Sequence, residues 1–330
     1  MEFDFLDVLL IVLSLALLAT PGFIIGKLKL LPQNGSKTLT SVLLFIGQPA
    51  LTFMSFQKTK YSPDIVSNLL IVAGVAILLH AIMVAIVTLA FGRKFDKDKK
   101  LRVVSFASCF GNAGFMGLPF LQMLFPTSGE AVMYGAVFVA VFNAFTWTVG
   151  IFLLTGDKAY VKIKKAILNP PFIALIVSLP LFLILKQPIN LIGQEGTVLR
   201  SVFEKIYISG NYLGELVTPL SMIILGIRLS EMDLKEMFLE YHSYISSSFK
   251  LMVMPAIAFF VCELFGIDGA IKWALFFECC MPTAVQTLLF SEQYEGETHT
   301  ASSAVLMATL MSVITIPLMY LLFSNIANLL

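Results

Sequence analysis

Gly111-Asn112-Ala113-Gly114-Phe115-Met116-Gly117-Leu118-Pro119 lies inside an apolar segment that runs from about Val103 to Phe125. An ordinary membrane helix would place Leu, Ile and Val here; this one has three glycines, an asparagine and a proline among the nine positions. Proline removes a backbone donor and clashes with the carbonyl four residues earlier, and glycine tolerates almost any dihedral. The helix is therefore expected to break near the middle of a bilayer. A break at that depth strands peptide groups that lipid cannot satisfy, so it must be buried in protein or line a polar cavity. Broken helices that turn bare peptide groups toward a cavity are what transporters use to hold ions and substrates.

The surrounding chain supports a membrane setting. Of 330 residues, 58% are hydrophobic and 13% charged, with mean hydropathy +0.89; soluble domains carry about 25% charged residues. The net charge of +1 and the lack of a basic stripe interleaved with aromatics point away from nucleic acid. Cys109, Cys262, Cys279 and Cys280 all sit in apolar runs without zinc-like spacing, and read as small core residues. The acidic start Met1-Glu2-Phe3-Asp4 lacks the basic region of a secretory signal, so the first apolar run is expected to be retained.

A spanning helix needs about 20 apolar residues. Ten such segments are expected, near 5–27, 38–56, 65–91, 103–125, 130–154, 170–186, 208–229, 244–265, 270–291 and 299–323. Basic residues cluster after segments 1 (Lys27, Lys29, Lys37), 3 (Arg93, Lys94, Lys97, Lys99, Lys100, Arg102), 5 (Lys158, Lys162, Lys164, Lys165) and 7 (Arg228, Lys235). The other side has Lys58, Lys60, Lys186, Arg200, Lys205 and Lys272. The positive-inside rule then makes the first set cytoplasmic and both termini external. Lys250, early in segment 8, is expected to snorkel to the cytoplasmic face. Asp157 to Leu168 reads either as an interfacial helix or as a basic tether between halves, and Gly193 to Lys205 as an ordinary polar connection.

The second half repeats the first. Gln48-Pro49 in segment 2 answers to Thr218-Pro219 in segment 7, and Pro119 in segment 4 to Pro282 in segment 9; an acidic loop and a full-length helix follow each of the latter pair. Five helices per repeat is odd, so two repeats must insert with opposite orientation. This is the inverted plan of secondary transporters, with the substrate site at the repeat interface. The expected architecture is all-α: ten transmembrane helices as a 5+5 inverted repeat, with broken helices 4 and 9 crossing at Pro119 and Pro282. Its parts are a first repeat over residues 1–155, a basic linker over 156–169 and a second repeat over 170–330.

The motif Asn112-x-Gly114-Phe115-x-Gly117-x-Pro119 resembles that of the auxin efflux carrier family, within the wider bile-acid/arsenite/riboflavin transporter group. So do Asn169-Pro170-Pro171-Phe172-Ile173, Thr218-Pro219-Leu220 leading to Leu225-Gly226, and Met281-Pro282 running to Thr315-Ile316-Pro317. The resemblance spans nearly the whole chain. It implies external termini in the plasma membrane, a scaffold of helices 1, 2, 6 and 7, a moving transport bundle of helices 3–5 and 8–10, and a homodimer. The long cytoplasmic insert of the plant carriers between helices 5 and 6 is absent, which fits a compact bacterial-type member.

Half-helices beginning at Pro119 and Pro282 would each present a positive dipole end and free N–H groups to one cavity. A small organic carboxylate anion is the expected ligand, held near Asn112, Gly114, Pro119, Pro282, Thr283 and Gln286; the competing reading has Asn112, Thr283 and Gln286 merely capping broken backbone. Glu278, one turn before Pro282, is the candidate for Na⁺ or H⁺ coupling, against a purely packing role. Gln48 and Asn143 are expected beside the site. His80 and the Phe138, Phe142, Phe145 stripe read as core, and Glu215 as near the outer interface. No cofactor or metal site is expected. Asp96 and Asp98 lie in a lysine-rich loop, and no HExxH, GxSxG or P-loop pattern occurs, so an enzyme is not expected. The leading reading is a secondary transporter, exporter or exchanger, of an organic anion by an elevator motion. The alternatives are a sodium-coupled bile-acid-like symporter and a non-transport sensor or channel.

Overall fold

The computed structural model describes residues 3–32, 34–94, 98–161, 163–232 and 234–329. Asp96, Lys97 and Lys162 lie outside them. Among the described residues every regular element is helical, apart from one isolated antiparallel bridge between Gly111 and Thr283. Among the described residues eight helices are long and apolar enough to cross a membrane. They are α1 (Phe5–Lys27), α2 (Gly35–Lys58), α3 (Ile65–Phe91), α6 (Gly129–Thr155), α7 (Pro170–Leu191), α8 (Val198–Ser230), α9 (Tyr241–Leu264) and α12 (Thr298–Ala327). The expected segments 4 and 9 are each covered by two shorter helices, α4 (Lys99–Cys109) with α5 (Ala113–Leu124), and α10 (Gly269–Cys280) with α11 (Gln286–Gln293).

Three of the prolines share one local arrangement. Widened π turns at Leu43–Gly47, Ala113–Gly117 and Phe249–Val253 lead directly into Gln48-Pro49, Leu118-Pro119 and Met254-Pro255. An i→i+5 turn relieves the clash of the ring with the preceding carbonyl and absorbs the missing donor without ending the helix. Pro119 therefore lies inside α5 instead of at the break. The chain leaves helical geometry earlier, at Phe110–Asn112, where Asn112 (φ −78°, ψ 51°) makes an inverse γ-turn and Ala113 N–H donates to the Gly111 carbonyl at 2.8 Å. In the second interruption Pro282 does lie in the extended stretch, and α11 begins beyond it, at Gln286.

Close packing of α1 on α8 uses glycine at the contacts. A Cβ on Gly22 would overlap the Ile223 carbonyl, and one on Gly226 the Ala19 carbonyl. Small residues let membrane helices approach backbone to backbone, where dispersion and weak polar contacts replace the missing hydrophobic force. At the far end of the chain, Tyr320 Oη in α12 accepts from Phe3 N–H at 2.8 Å and donates to the Phe3 carbonyl at 2.6 Å, pinning the N-terminus.

One expectation about boundaries changes. The stretch from Gly193 to Lys205 is only partly a connection: α8 begins at Val198, capped by Thr197, whose hydroxyl accepts from Arg200 N–H at 3.3 Å. Its first turns are amphipathic, so hydropathy alone sets the start too late. The basic linker contains a short 3₁₀ turn, Lys158–Tyr160, and a short helix, Ile163–Ile167.

One carboxylate ties three helix ends together. Glu240, which caps α9 and has its side chain 4% exposed, accepts from Lys100 Nζ of α4 at 2.9 Å and from His242 Nδ1 at 2.6 Å. Thr300 Oγ1 of α12 donates to it at 3.4 Å and His299 Nδ1 lies 3.5 Å away. Burial pushes the Glu240 carboxyl up, but the Lys100 and His242 bonds outweigh it and hold it down at about 2. Because the folded value lies below that of the unfolded chain, the stabilisation is complete above about pH 4.5 and drains away as pH falls toward 2. Glu240→Gln is expected to lower stability at pH 7 by about 1–3 kcal/mol, since Lys100 is partly solvated. Thermal midpoints measured from pH 7 to 3 should show the loss at neutral pH shrinking on the acid side; a constant difference would show that the carboxylate charge is not what matters.

Candidate functional site

The two interruptions are joined to each other. Asn112 N–H donates to the Pro282 carbonyl at 2.6 Å and Ala284 N–H to the Phe110 carbonyl at 2.9 Å, framing the Gly111–Thr283 bridge. Each break satisfies the peptide groups that the other leaves open, as apolar surroundings demand. Thr283 is fully buried and its hydroxyl donates to the Ala107 carbonyl at 3.1 Å, capping the end of α4.

Beyond the crossing, α5 starts afresh. The first N–H groups of a helix have no intrahelical acceptor. Those of Ala113 and Met116 are taken by Gly111 and Asn112 carbonyls, which leaves the first-turn N–H groups of Gly114 and Phe115. Both residues line a cavity of about 800 Å³, together with Gln48 of α2, Asn143 and Trp147 of α6, and Gln286 of α11. Gln48 Nε2 donates to the Gly114 carbonyl at 2.8 Å, so α2 touches the rim of the break. The remaining walls are mainly aromatic and aliphatic; Lys164 and Asn169 mark the linker side.

Of the residues singled out from sequence, Gly114, Gln48, Asn143 and Gln286 line this cavity, whereas Asn112, Pro119, Pro282, Thr283 and Glu278 do not. Asn112 is nonetheless informative. It is 2% exposed, and its Nδ2 has no hydrogen-bond partner; neither has Gln286 Oε1. Buried amide groups normally find partners; here a donor at the crossing, Asn112 Nδ2, and an acceptor on the cavity wall, Gln286 Oε1, are left open.

Glu278 sits at the end of α10, 1% exposed, with neither carboxylate oxygen hydrogen-bonded. Gly117 and Gly135 make room for it: a Cβ on the first would overlap Oε2, and one on the second would lie 2.9 Å from Oε1. His80 is buried, with Nδ1 2.7 Å from the Ala76 carbonyl and its ring against Phe110, Phe138, Phe142 and Phe145, as a core residue would be. All four cysteines are buried and unpaired. Among the described residues no group of three His, Cys, Asp or Glu side chains is placed to hold a metal.

Lys250 was expected to reach for the membrane surface. It turns inward instead: it is 1% exposed, and its Nζ donates to the Cys279 carbonyl at 2.6 Å. The π turn at Phe249–Val253 sets its direction, and Gly111 leaves the space for its stem. The available signal in the sequence is the run Ser246-Ser247-Ser248 just before it, a small polar face unlike a lipid-facing one.

A family described as membrane transport protein matches this chain over residues 7–320. An uncharacterized transporter of Methanocaldococcus jannaschii is 32% identical over 321 residues, covering 95% of this chain and 97% of that protein. Another uncharacterized transporter, of Methanothermobacter thermautotrophicus, is 24% identical over 311 residues, covering 93% and 95% respectively.

Proposed function

This chain belongs to the membrane transport protein family, that of the auxin efflux carriers, and from that premise we propose that it carries a small organic carboxylate anion across the membrane by alternating access. The observation that carries the substrate class is the place of the first-turn N–H groups of Gly114 and Phe115 at the cavity wall, just after the unpartnered Nδ2 donor of Asn112. The positive end of a helix dipole and neutral donors favour an anion, while the apolar walls favour an organic one.

The ten-helix, inverted 5+5 arrangement gives this proposal its mechanics. Helices 1, 2, 6 and 7 (here α1, α2, α7 and α8) form the scaffold, and the remaining helices carry the crossing as an elevator. Linker residues Lys164 and Asn169 border the cavity, and by the distribution of lysines and arginines that side is the cytoplasmic one; both termini then lie outside, and the scaffold face is where a homodimer would form. Glu278 is the coupling residue.

Organic acids should raise the thermal midpoint of the purified protein, because a ligand that binds only the folded state stabilises it. Asn112→Ala combined with Pro282→Ala is expected to weaken that binding by about tenfold or more, the loss of roughly one charge-assisted hydrogen bond. Unchanged affinity would remove the site from the crossing. Counterflow in proteoliposomes tests the transport step: a carrier shows acceleration by substrate on the opposite side, and a channel does not.

A further inference from the structure

A second cavity, of about 220 Å³, lies between α1 (within residues 12–23), α8 (222–229) and α12 (309–313). Met116 of α5 also lines it, next in the chain to Phe115 on the wall of the larger cavity. The three hydroxyls in its wall are turned back on their own helices. Thr20 Oγ1 donates to the Ala16 carbonyl at 3.2 Å, Thr309 Oγ1 to the Val305 carbonyl and Ser312 Oγ to the Thr309 carbonyl, both at 2.7 Å. A buried water needs two to four polar partners, and here no hydroxyl proton is left to offer one; apolar cavities take up apolar ligands instead. From Val12 to Phe23 the lining follows α1 for about 16 Å at 1.5 Å per residue, which suits a hydrocarbon chain better than a compact solute. Ala16, Thr20 and Leu310 on its edge are exposed, so a chain can enter from the surrounding bilayer.

Charge marks one end of this slot. Phe23 belongs to its wall, and Lys27 Nζ lies 5.7 Å from the centre of that ring. Among the described residues no carboxylate pairs with Lys27, whereas Arg228, at the matching end of α8, is already held by Glu231 at 3.3 Å. Basic side chains at the cytoplasmic ends of membrane helices attract anionic headgroups. An ammonium one turn beyond an oily slot therefore supplies the polar half of a site for an amphiphile. We propose that this cavity holds one acyl chain of an anionic phospholipid of the cytoplasmic leaflet, with its headgroup against Lys27. Which leaflet supplies the lipid rests on the orientation given above; the binding claim does not. On the elevator reading the chain would touch both the scaffold and the moving bundle.

Native mass spectrometry of the purified, delipidated full chain tests it with two lipids that share their tails, phosphatidylglycerol and phosphatidylcholine. One phosphatidylglycerol per chain should be retained, at a concentration about fivefold lower than phosphatidylcholine requires. Lys27→Ala should erase most of that preference. Ala16→Phe, which puts a ring into the slot from its exposed edge, should weaken retention of both lipids by about tenfold. Phosphatidylglycerol should also raise the wild-type thermal midpoint saturably, and glycerol phosphate, a headgroup without tails, should not. Equal retention of the two lipids by wild type overturns the proposal, as does wild-type retention by Ala16→Phe. Should Ala16→Phe not fold, Leu310→Trp on the same edge is measured in its place. If neither folds, the wild-type midpoints decide: an equal rise with glycerol phosphate places the lipid by its headgroup alone and overturns the acyl-chain site. Absence of organic-anion transport would leave these lipid responses, and hence this inference, standing.

Discussion

Gly226→Val is expected to yield a protein that no longer survives purification as a monodisperse species, whereas Gly74→Ala should behave as wild type. The contrast follows from what a side chain would meet. At Gly226 the obstacles are backbone atoms of α1: the Ala19 carbonyl, the Phe23 nitrogen at 2.7 Å and the Ala19 carbonyl carbon at 2.9 Å. Gly22 makes the reciprocal contact with Ile223. Overpacking that side chains can absorb costs about 1–3 kcal/mol; here the main chain would have to retreat, parting α1 from α8 along its length. Against a total stability of about 5–15 kcal/mol that loss is severe. The milder Gly226→Ala should lower the thermal midpoint in detergent by about 5 °C or more. At Gly74, on α3, a Cβ meets nothing within 4 Å, and the better helix propensity of alanine should hold or slightly raise the midpoint. A wild-type midpoint for Gly226→Val would show that the two helices do not approach this closely.

The second large effect falls on activity instead of folding. Glu278→Gln keeps the shape of the side chain in the notch between Gly117 and Gly135 and removes its ability to gain and lose a proton. Since neither oxygen has a hydrogen-bond partner to disappoint, the midpoint should move by no more than about 2 °C. Exchange of the organic anion should fall by about tenfold or more, and its rate should lose the pH dependence of wild type. Gly117→Ala, which would push a methyl group into Oε2, should reproduce the loss of rate. Retention of the wild-type pH profile by Glu278→Gln would exclude coupling through this residue.

Much of the fold could be read from residue order because lipid leaves a chain few options. Long apolar runs must be helices, and Gly111 to Pro119 must interrupt one of them. Where the interruption begins was less legible. Proline looked like the point of fracture, but a widened turn before Pro119 takes up its geometry, and the fracture falls at Phe110–Asn112, where glycine and asparagine permit a γ-turn. The start of α8 was missed because its first turns, through Arg200, Glu204 and Lys205, are polar along one face. An i,i+4 ion pair between Arg200 and Glu204 at 2.9 Å supports helix there in a way hydropathy does not register.

The site divides along similar lines. Gln48, Asn143 and Gln286 reach the cavity because polar side chains in apolar segments have few other destinations. Thr283 was equally conspicuous, yet its hydroxyl serves a local carbonyl, and sequence cannot tell a ligand contact from a cap. Lys250 was misplaced for a more general reason. A lysine near the end of an apolar run has an inexpensive way out to the headgroups, and only the three-dimensional position of the α10 carbonyls and of Gly111 makes the inward route preferable.

The paired bonds between Asn112 and Pro282, and between Phe110 and Ala284, also bear on how the chain is made. When the ribosome has delivered the first five helices, the gap at Phe110–Asn112 has no complement, because its acceptor and donor are still untranslated. The N-terminal half must wait, incomplete, in the membrane. Maturation is thus committed only when the last fifty or so residues arrive, and quality control has a window in which to recognise any chain whose synthesis stopped early.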